Sequence, residues 1–399
     1  MNKAFLALSL ACGILSSSLF AGEVKIGVVL PVSGAVGGFG ELGKRGIDLA
    51  HKAQSKTKNG DTIKIVFIDN KSDKIESANA ILSLLLSIKT ILIVFIDNKS
   101  DKIESANAMQ RLVSSDKVSV VIGPMISTNA LAMTKIADDS KTPLIAPVAT
   151  NDRVTKGKKF VSRVSFADSF QGLIAANLAF RDLGAKKAAI LFDNSSDYSI
   201  GLTRAFRNQF KMLGGEVIIE ANAQAGTKDF KAQISSIKAK NPDVLYLPIY
   251  YNEGALIAVQ AKQLGLNVPT IGGDGLVSNK IFFDVAKEAG EGYMVTDYYS
   301  TNSKQTPKGE QFIKDYKKAY NEPVSSFSIM LADAYGLAVA AIEECGAENR
   351  ECINDKIRNA KDFNGVSGKF SLQNGESIRS AVINQVQNGN LVYKTTIEP

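Results

Sequence analysis

Histidine and cysteine are scarce in this chain, and each scarcity excludes a class of chemistry. His51 is the single histidine among 399 residues, so a hydrolytic triad has only one candidate base, and no G-x-S-x-G nucleophile motif lies near it. The three cysteines are Cys12, Cys345 and Cys352, too few for a second thiol pair at a metal site. We therefore predict no metal, no cofactor and no hydrolytic centre, and we interpret His51 as a helix-packing residue.

Blocks of basic charge are also missing. The net charge is +7, but the Lys and Arg residues are spread thinly, without the clustering or aromatic interleaving of a nucleic-acid surface. We therefore expect no nucleic-acid partner. Because 45% of the residues are hydrophobic and 22% are charged, the composition is that of a globular protein with a large core. The length favours two domains.

The N-terminus has the layout of a secretory signal peptide. Lys3 is followed by the apolar run Phe5–Leu15 and by small residues that end at Ala21, which predicts export and cleavage after about Ala21. A buried N-terminal helix is the alternative. Cys12 lacks the leucine of a lipid-attachment motif, because Ser9 stands three residues before it. An exported chain without an anchor is retained only by an outer membrane, so we predict a periplasmic location.

Cleavage leaves two cysteines, Cys345 and Cys352. Two cysteines close in sequence in an oxidising compartment are expected to pair. The loop that such a disulfide closes is short, so only a modest gain in stability is expected.

The mature chain alternates apolar strand patterns with amphipathic helix patterns. Val24–Leu30 and Val118–Ile122 are typical of strands that are buried on both faces. Phe170–Leu178 has helical spacing, with Asp168 or Ser169 as its N-cap. Repeated strand–helix units predict an α/β protein with two doubly wound parallel sheets.

One segment is duplicated. The sequence of Ile65–Ala80 recurs without change at Ile93–Ala108, an offset of 28 residues, and Ile81–Leu92 between the copies resembles neither. A period repeated once is too short for a solenoid. A single copy is enough for the sheet, so the spare strand either extends the sheet edge beside its twin or is looped out.

A glycine motif raises an alternative function. Gly38–Gly43 fits G-x-G-x-x-G, and Asp69 ends a later strand, as in a dinucleotide-binding oxidoreductase. The first glycine of that motif should end the strand directly, whereas Pro31–Gly37 intervenes here. We interpret the motif as a glycine-rich loop at the start of a helix.

Polar residues follow several predicted strands, where α/β proteins bind ligands. Ser127 and Thr128 stand at the start of a predicted helix, and Thr150 follows the next strand; such positions favour a carboxylate. In the second half of the chain, Asp274 lies in a glycine-rich turn after a strand and is suited to pair with an ammonium group.

Eight stretches of the mature chain resemble the periplasmic leucine/isoleucine/valine-type binding proteins of ABC transporters. They are VKIGVVLPVSG (24–34), SVVIGPMISTNALA (119–132), TPLIAPVATN (142–151), VSRVSFADSFQG (161–172), KKAAILFDNSSDYSIG (186–201), LPIYYNEGALI (247–257), TIGGDG (270–275) and KDFNGVSGKFSL (361–372). The resemblance implies the type I periplasmic binding protein fold, in which two doubly wound parallel-sheet domains are joined by three crossover strands. The implied lobes are 22–166 plus 298–366 and 167–297 plus 367–399, and the duplication at 65–108 departs from the family.

The resemblance also implies a ligand site. Ser127 and Thr150, with the Val148 backbone, would hold a carboxylate, and Asp274 would take the ammonium group. The aromatic residues expected to close over the ligand or to line its side-chain pocket are Phe39, Tyr198, Tyr250 and Phe327.

These residues predict a binding protein and not an enzyme. We expect a monomer that captures a small, branched-chain amino acid by cleft closure and passes it to ABC permease subunits. The alternatives are binding of an amide or an aromatic acid, a sensory ligand-binding role, and the dinucleotide-dependent oxidoreductase.

Overall fold

The computed structural model describes residues 24–58, 60, 62–67, 90–301 and 303–399. The predicted signal peptide, with Cys12, lies outside the described residues. So does most of the first copy of the duplicated segment, from residue 68 onward, and with it Asp69.

The described part of the chain alternates strands and helices, as predicted. The strands are β1 (Val24–Leu30), β2 (Thr62–Phe67), β3 (Thr90–Asp97), β4 (Val120–Ile122), β5 (Leu144–Ala146), β6 (Val161–Arg163), β7 (Lys187–Asp193), β8 (Glu216–Ala223), β9 (Val244–Leu247), β10 (Thr270–Gly272), β11 (Met294–Asp297), β12 (Phe363–Asn364), β13 (Lys369–Gln373), β14 (Glu376–Ile378), β15 (Ala381–Gln387) and β16 (Asn390–Ile397). The helices are α1 (Gly37–Ala53), α2 (Lys102–Ser114), α3 (Ser127–Ser140), α4 (Asp168–Asn177), α5 (Asp197–Met212), α6 (Lys231–Ala239), α7 (Tyr251–Gln263), α8 (Lys280–Ala286), α9 (Pro307–Tyr320), α10 (Ser326–Cys345) and α11 (Arg350–Arg358).

Two large sheets organise the fold. The first has the order β2-β3-β1-β4-β5-β6, and all its strand pairs are parallel. The second has the order β16-β15-β11-β10-β9-β7-β8, in which β15 pairs antiparallel with both β11 and β16 and the other pairs are parallel. The chain passes three times between them: after β6, after β11 to pack α10 on α1, and again before β15.

The strands with continuous apolar runs are buried on both faces, as the sequence predicts. Every residue of β1 except Lys25 is buried, because β1 lies between β3 and β4 with helices against the sheet. Among the described helices, α10 is long and apolar enough to cross a membrane by length and composition, but 83% of its apolar window is buried inside the protein. It is a core helix that packs on α1.

The duplicated segment extends the first sheet. The two copies pair in parallel and in register, with Ile65 opposite Ile93, so β2 forms the outer strand beside its twin. This is the first of the two arrangements that the sequence left open. The second copy, β3, takes the place next to β1.

The loop after β3 also fixes the start of α1. The Asp97 carboxylate accepts hydrogen bonds from the Val32 and Ser33 backbone N–H groups at 3.0 and 3.2 Å and from Ser33 Oγ at 2.6 Å. Asp101 then caps α2 by accepting from the Ile103 and Glu104 N–H groups. The second copy thus holds the loop that leads into α1.

We therefore expect Asp97→Ala to lower the free energy of unfolding by about 1–3 kcal/mol, because four donors, including the Lys99 N–H, lose a charged acceptor. The same residue in the first copy gives a matched control, Asp69→Ala, for which we expect a change under ~0.5 kcal/mol. Urea unfolding of both variants checks this. Equal losses of stability in the two variants would contradict the conclusion that the second copy, through Asp97, holds the loop that leads into α1.

Candidate functional site

The start of α3 offers donors for an anion. Gly123, at φ +115° after β4, turns the chain where a Cβ would lie 2.1 Å from the Val29 carbonyl oxygen. Helix α3 then begins at Ser127. Its N-cap residue is Ile126, whose apolar side chain cannot accept a hydrogen bond, and no described side chain accepts one from the first N–H groups of the helix. The Ser127 Oγ accepts a hydrogen bond from the Asn151 N–H at 3.2 Å, so its own proton is left to donate. A helix end of this kind favours a carboxylate.

The loop after β5 lies beside this helix end. Val148 and Thr150 are both buried. The Thr150 carbonyl oxygen accepts from the Asp168 N–H at 2.8 Å and from the Arg163 guanidinium at 2.5 Å, which fixes the loop. The Thr150 hydroxyl is buried without a hydrogen-bond partner of ordinary geometry among the described residues. It is therefore left to bind a ligand.

The opposite wall is built around Asp274. Its Oδ1 accepts from Gln171 Nε2 and from Tyr198 Oη, both at 3.0 Å, and its Oδ2 accepts from Tyr298 Oη at 2.8 Å. Gln171 also accepts from the Asp274 N–H at 2.7 Å. Burial raises the pKa of Asp274, and the Tyr298, Gln171 and Tyr198 donors oppose that shift. The carboxylate is thus held rigidly in a buried position.

Aromatic rings connect the two walls. Tyr198 and Tyr250 stack with their centroids 4.9 Å apart, and Phe39 meets Tyr250 edge-on at 5.5 Å. Phe39 also contacts Phe327, with a centroid separation of 4.7 Å. Phe39 and Phe327 are buried on the side of the first sheet, and Tyr250 lies on the side of the second sheet. These rings therefore meet across the cleft between the two sheets.

Sequence reasoning misjudged Asp168. It was expected as an N-cap, but the N-cap of α4 is Ala167, and Asp168 is the first residue of the helix. Both of its carboxylate oxygens are buried without a hydrogen bond of ordinary geometry among the residues that the structure describes. Burial raises the pKa of Asp168 well above its usual range, and the Asp152 and Asp274 charges raise it further, whereas the Thr150 hydroxyl and the Arg163 charge lower it in part. A cationic ligand nearby would favour the ionised form of such a buried acid.

The cleft is closed. The Asp197 N–H on the second-sheet side donates to Thr128 Oγ1 at 3.1 Å, and Asn151 Nδ2 donates to the Asp197 carbonyl at 2.6 Å. At the other side of the cleft, Asn252 Nδ2 donates to the Ala35 carbonyl oxygen at 2.7 Å. A cavity of about 310 Å³ opens beside Tyr198 and Thr128.

The structure thus brings the predicted residues into one connected set. Ser127 accepts from the Asn151 N–H beside Thr150, the Thr150 carbonyl oxygen accepts from the Asp168 N–H, and Gln171 on the same helix as Asp168 donates to Asp274. From Asp274 the contacts continue through Tyr198 and Tyr250 to Phe39 and Phe327. Gln171, Tyr298 and the orphaned Asp168 are the members that the sequence did not reveal.

The glycine motif has a different structure from the one expected. Gly38–Gly43 lies inside α1 and not in a loop, so the loop prediction is wrong. A Cβ at Gly40 would lie 2.3 Å from the Pro31 carbonyl oxygen, and one at Gly46 would lie 2.1 Å from that of Ser328. The glycines therefore allow close helix packing, and a dinucleotide-binding turn directly after β1 is not formed.

His51 and the acidic residues show no catalytic or metal-binding grouping in the described parts of the chain. The His51 Nδ1 lies 3.3 Å from Tyr335 Oη, and the two rings meet edge to face, as expected for a packing residue. No three His, Cys, Asp or Glu residues among those described lie together in a way that could hold a metal ion.

Residues 88–390 match the family model described as periplasmic binding protein. The chain belongs to the periplasmic binding protein family. Its fold resembles that of a leucine binding protein from Thermotoga maritima MSB8, with a TM-score of 0.84 and 35% identity over 94% of this chain and 99% of that one. The branched-chain amino acid transporter substrate binding protein of Streptococcus pneumoniae, solved in complex with isoleucine, gives a TM-score of 0.81 and 30% identity over 95% and 100%. The Leu/Ile/Val-binding protein BraC3 of Rhizobium johnstonii is 26% identical over 375 residues, 93% of each chain.

Both the family resemblance and the fold class predicted from the sequence are therefore confirmed. The two parallel-sheet units with three connecting passages are those of the type I periplasmic binding proteins. The lobe boundaries at residues 166, 297 and 366 stay a prediction.

The buried acids make this periplasmic binding protein's stability depend on pH. Burial raises the pKa of Asp168 and of Asp274, and it raises the pKa of Asp297 to about 7. Since an unfolded Asp titrates near ~3.9, the folded ligand-free protein binds more protons than the unfolded chain above that pH. Its stability should therefore fall as the pH rises from ~4 to ~7. We expect a melting temperature several degrees higher at pH 5 than at pH 8, measured by calorimetry; a higher value at pH 8 would contradict it.

Proposed function

We propose that this chain is an exported solute-binding protein that captures a small amino acid in the closed cleft, most suitably leucine, isoleucine or valine. It would act without catalysis and deliver the ligand to an ABC importer. The observation that carries the proposal is the opposition of two complementary groups, an uncapped helix end with free hydroxyls on one side and buried carboxylates on the other.

The two ends of a zwitterion match these groups. The ligand carboxylate would accept from the start of α3, from the Ser127 and Thr150 hydroxyls and from the loop at Val148. The ligand ammonium would face Asp274, whose charge also raises the pKa of the nearby Asp168. An ammonium group there relieves the repulsion between two buried acids, so the ligand stabilises the closed state by contacts that the open state lacks.

The apolar part of the ligand would lie against Phe39, Phe327 and Tyr250. Such a pocket discriminates weakly, by ~1–3 kcal/mol per methylene, so one protein can accept leucine, isoleucine and valine. This agrees with the ligands named for the Rhizobium and Streptococcus relatives.

The buried acids argue against two of the alternatives. An aromatic acid or a simple amide carries no cation, so it would leave Asp168 and Asp274 without the ionic partner that a buried carboxylate requires in order to be ionised. A sensory role uses the same cleft and stays open as an alternative use of the same ligand.

Export, location and partners complete the proposal. The signal peptide would be cleaved after about Ala21, and the mature monomer would work in the periplasm with ABC permease subunits. The Cα atoms of Cys345 and Cys352 lie 5.7 Å apart with their sulfur atoms at bonding distance, which suits a disulfide between the end of α10 and the start of α11 in that compartment.

A binding panel on the mature chain (residues 22–399) tests the function. Leucine, isoleucine and valine should raise the melting temperature and bind in calorimetry. 3-Methylbutylamine lacks the carboxylate of leucine and 4-methylpentanoate lacks its ammonium group, so neither should compete with leucine for the cleft, because each leaves one set of buried groups there unpaired. Binding of benzoate without any response to amino acids would select the aromatic-acid alternative, and binding of 4-methylpentanoate as tightly as leucine would reject the ammonium site.

A further inference from the structure

A second, larger cavity lies between the two sheets on the side of the crossover segments. Its volume is about 750 Å³, and it is lined by α1, by the segment that leads into α8, by the chain that leaves β11 and by the β15–β16 hairpin. We call it the hinge cavity. Ser127, Thr150 and Asp274 do not line it, so the proposed amino-acid site does not account for it.

Four buried polar groups on the wall of the hinge cavity lack a hydrogen-bond partner of ordinary geometry among the described residues. They are the hydroxyls of Tyr299, Ser300 and Ser326 and the Oδ1 atom of Asn384, and their residues are only 5%, 3%, 5% and 1% exposed. The Asn384 side chain is held in place because its Nδ2 donates to the Tyr299 carbonyl oxygen at 3.0 Å. Buried polar groups in proteins are nearly always satisfied, so four such groups on one wall indicate a polar ligand.

The charge of the hinge cavity selects a cation. Asp297 is 2% exposed on the same wall, and its Oδ1 accepts from the Tyr298 N–H at 2.7 Å. The charged residues that line the cavity are four acids, Glu41, Asp284, Asp297 and Glu322, and two bases, Arg45 and Lys280. The bases are already paired, Arg45 with Glu41 and Glu322 and Lys280 with Asp284. The excess charge is therefore negative, and Asp297 is the acid without a cationic partner in the cavity.

We propose that the hinge cavity is a second ligand site, which binds a small organic cation through a primary ammonium group. The ammonium hydrogens would donate to Asp297, to Asn384 Oδ1 and to the Tyr299 hydroxyl oxygen. Three hydrogens of an ammonium group match this number of acceptors. Apolar side chains such as Val277, Val324 and Leu391 also line the cavity and would cover an alkyl chain.

The site is coupled to closure of the cleft. Because both α1 and the β15–β16 hairpin line the cavity, a ligand there touches both sides only in the closed form. A cation in the hinge cavity should therefore increase the affinity of the cleft for its own ligand, and the cleft ligand should increase the affinity for the cation by the same factor.

The ionisation of Asp297 gives a further signature. Burial raises the pKa of this carboxyl to about 7, the Ser326 hydroxyl, the Tyr298 N–H and the Asn384 amide oppose the shift, and the Asp274 charge adds to it. A bound cation favours the ionised form, so binding should release protons near neutral pH and should strengthen on the order of tenfold from pH 6 to pH 8.

Calorimetric titration of the mature chain with n-butylammonium chloride tests the proposal, with n-butanol and butyrate as neutral and anionic controls. We expect only the cation to bind, both without and with saturating leucine. Asp297→Asn should weaken its binding at least tenfold and Tyr299→Phe should weaken it severalfold. Asp315→Asn, at a half-buried acid on α9 outside the cavity, should leave it unchanged.

The proposal is overturned if butylammonium does not bind, if it competes with leucine, or if Asp297→Asn and Tyr299→Phe both bind it like the wild type. Tyr299→Phe removes only a hydroxyl, so it keeps the test valid if Asp297→Asn fails to fold. The titration without leucine does not depend on the amino-acid site, so failure of leucine to bind is a separate result.

Discussion

Replacing Asp274 with asparagine should reduce the affinity for leucine at least about a hundredfold, because the ligand ammonium loses its charged partner in a buried site. The side chain keeps its shape, and one oxygen remains to accept from Gln171 and Tyr198, which now bind the carboxylate at 3.0 Å. Since burial raises the pKa of Asp274, removing the charge should not destabilise the ligand-free protein. Calorimetric titration gives the affinity, and thermal unfolding gives the stability.

The matched control is Glu253→Gln, an acid near the cavity at the cleft mouth whose carboxylate accepts from the Gly226 N–H at 2.8 Å. It removes the same charge from the same side of the cleft, away from the buried site, so leucine binding should change less than threefold, as for a screened surface charge. Full binding by Asp274→Asn, together with loss of binding by Asp168→Asn, would transfer the ammonium role to the neighbouring acid.

The strands and most helices could be predicted because each one carries its own signal. A continuous apolar run such as Val24–Leu30 indicates a buried strand wherever it occurs, and the structure has β1 over these residues. Ser127 and Thr150 could be proposed as site residues on the same grounds, because the ends of parallel strands meet at one edge of a sheet.

The rest of the site depends on contacts between distant parts of the chain. Gln171 is 103 residues from Asp274 in sequence and still donates to it, and Tyr298 reaches the same carboxylate from the end of β11. Nothing in the local sequence of either residue indicates such a partner. Asp168 was missed for the opposite reason: an acid at a helix start has an ordinary local explanation as a cap, and only its burial without a partner shows otherwise.

The duplicated segment separates local from tertiary effects most clearly. Ile65 and Ile93 begin identical sequences, yet β3 lies between two strands while β2 has a described strand only on one side. Propensity and periodicity are the same in both copies. The position in the sheet is decided by pairing with β1, which no local pattern encodes.

Gly38→Leu should abolish most leucine binding without unfolding the protein. Gly38 lies in the first turn of α1 and faces the other side of the cleft, where an added Cβ would lie 2.4 Å from Asn279 Nδ2 and 2.8 Å from Tyr251 Oη. An alanine could be accepted by small shifts of those two side-chain ends, but a leucine holds the two sides apart. A ligand that needs both walls then binds one wall only, and we expect its affinity to fall more than about a hundredfold.

The ligand-free variant should melt at or above the wild-type temperature, because leucine is a better helix former than glycine by about 0.8–1 kcal/mol and the open form has room for it. Lys52→Leu adds the same side chain to an exposed position of the same helix and should bind leucine normally. Small-angle scattering shows whether weak binding results from a cleft that cannot close. The wild type should become more compact when leucine is added, whereas Gly38→Leu should not. If Gly38→Leu binds leucine with wild-type affinity without becoming more compact, binding does not require the contact between α1 and the Asn279–Tyr251 side of the cleft, and the closed cleft is not the form that holds the ligand.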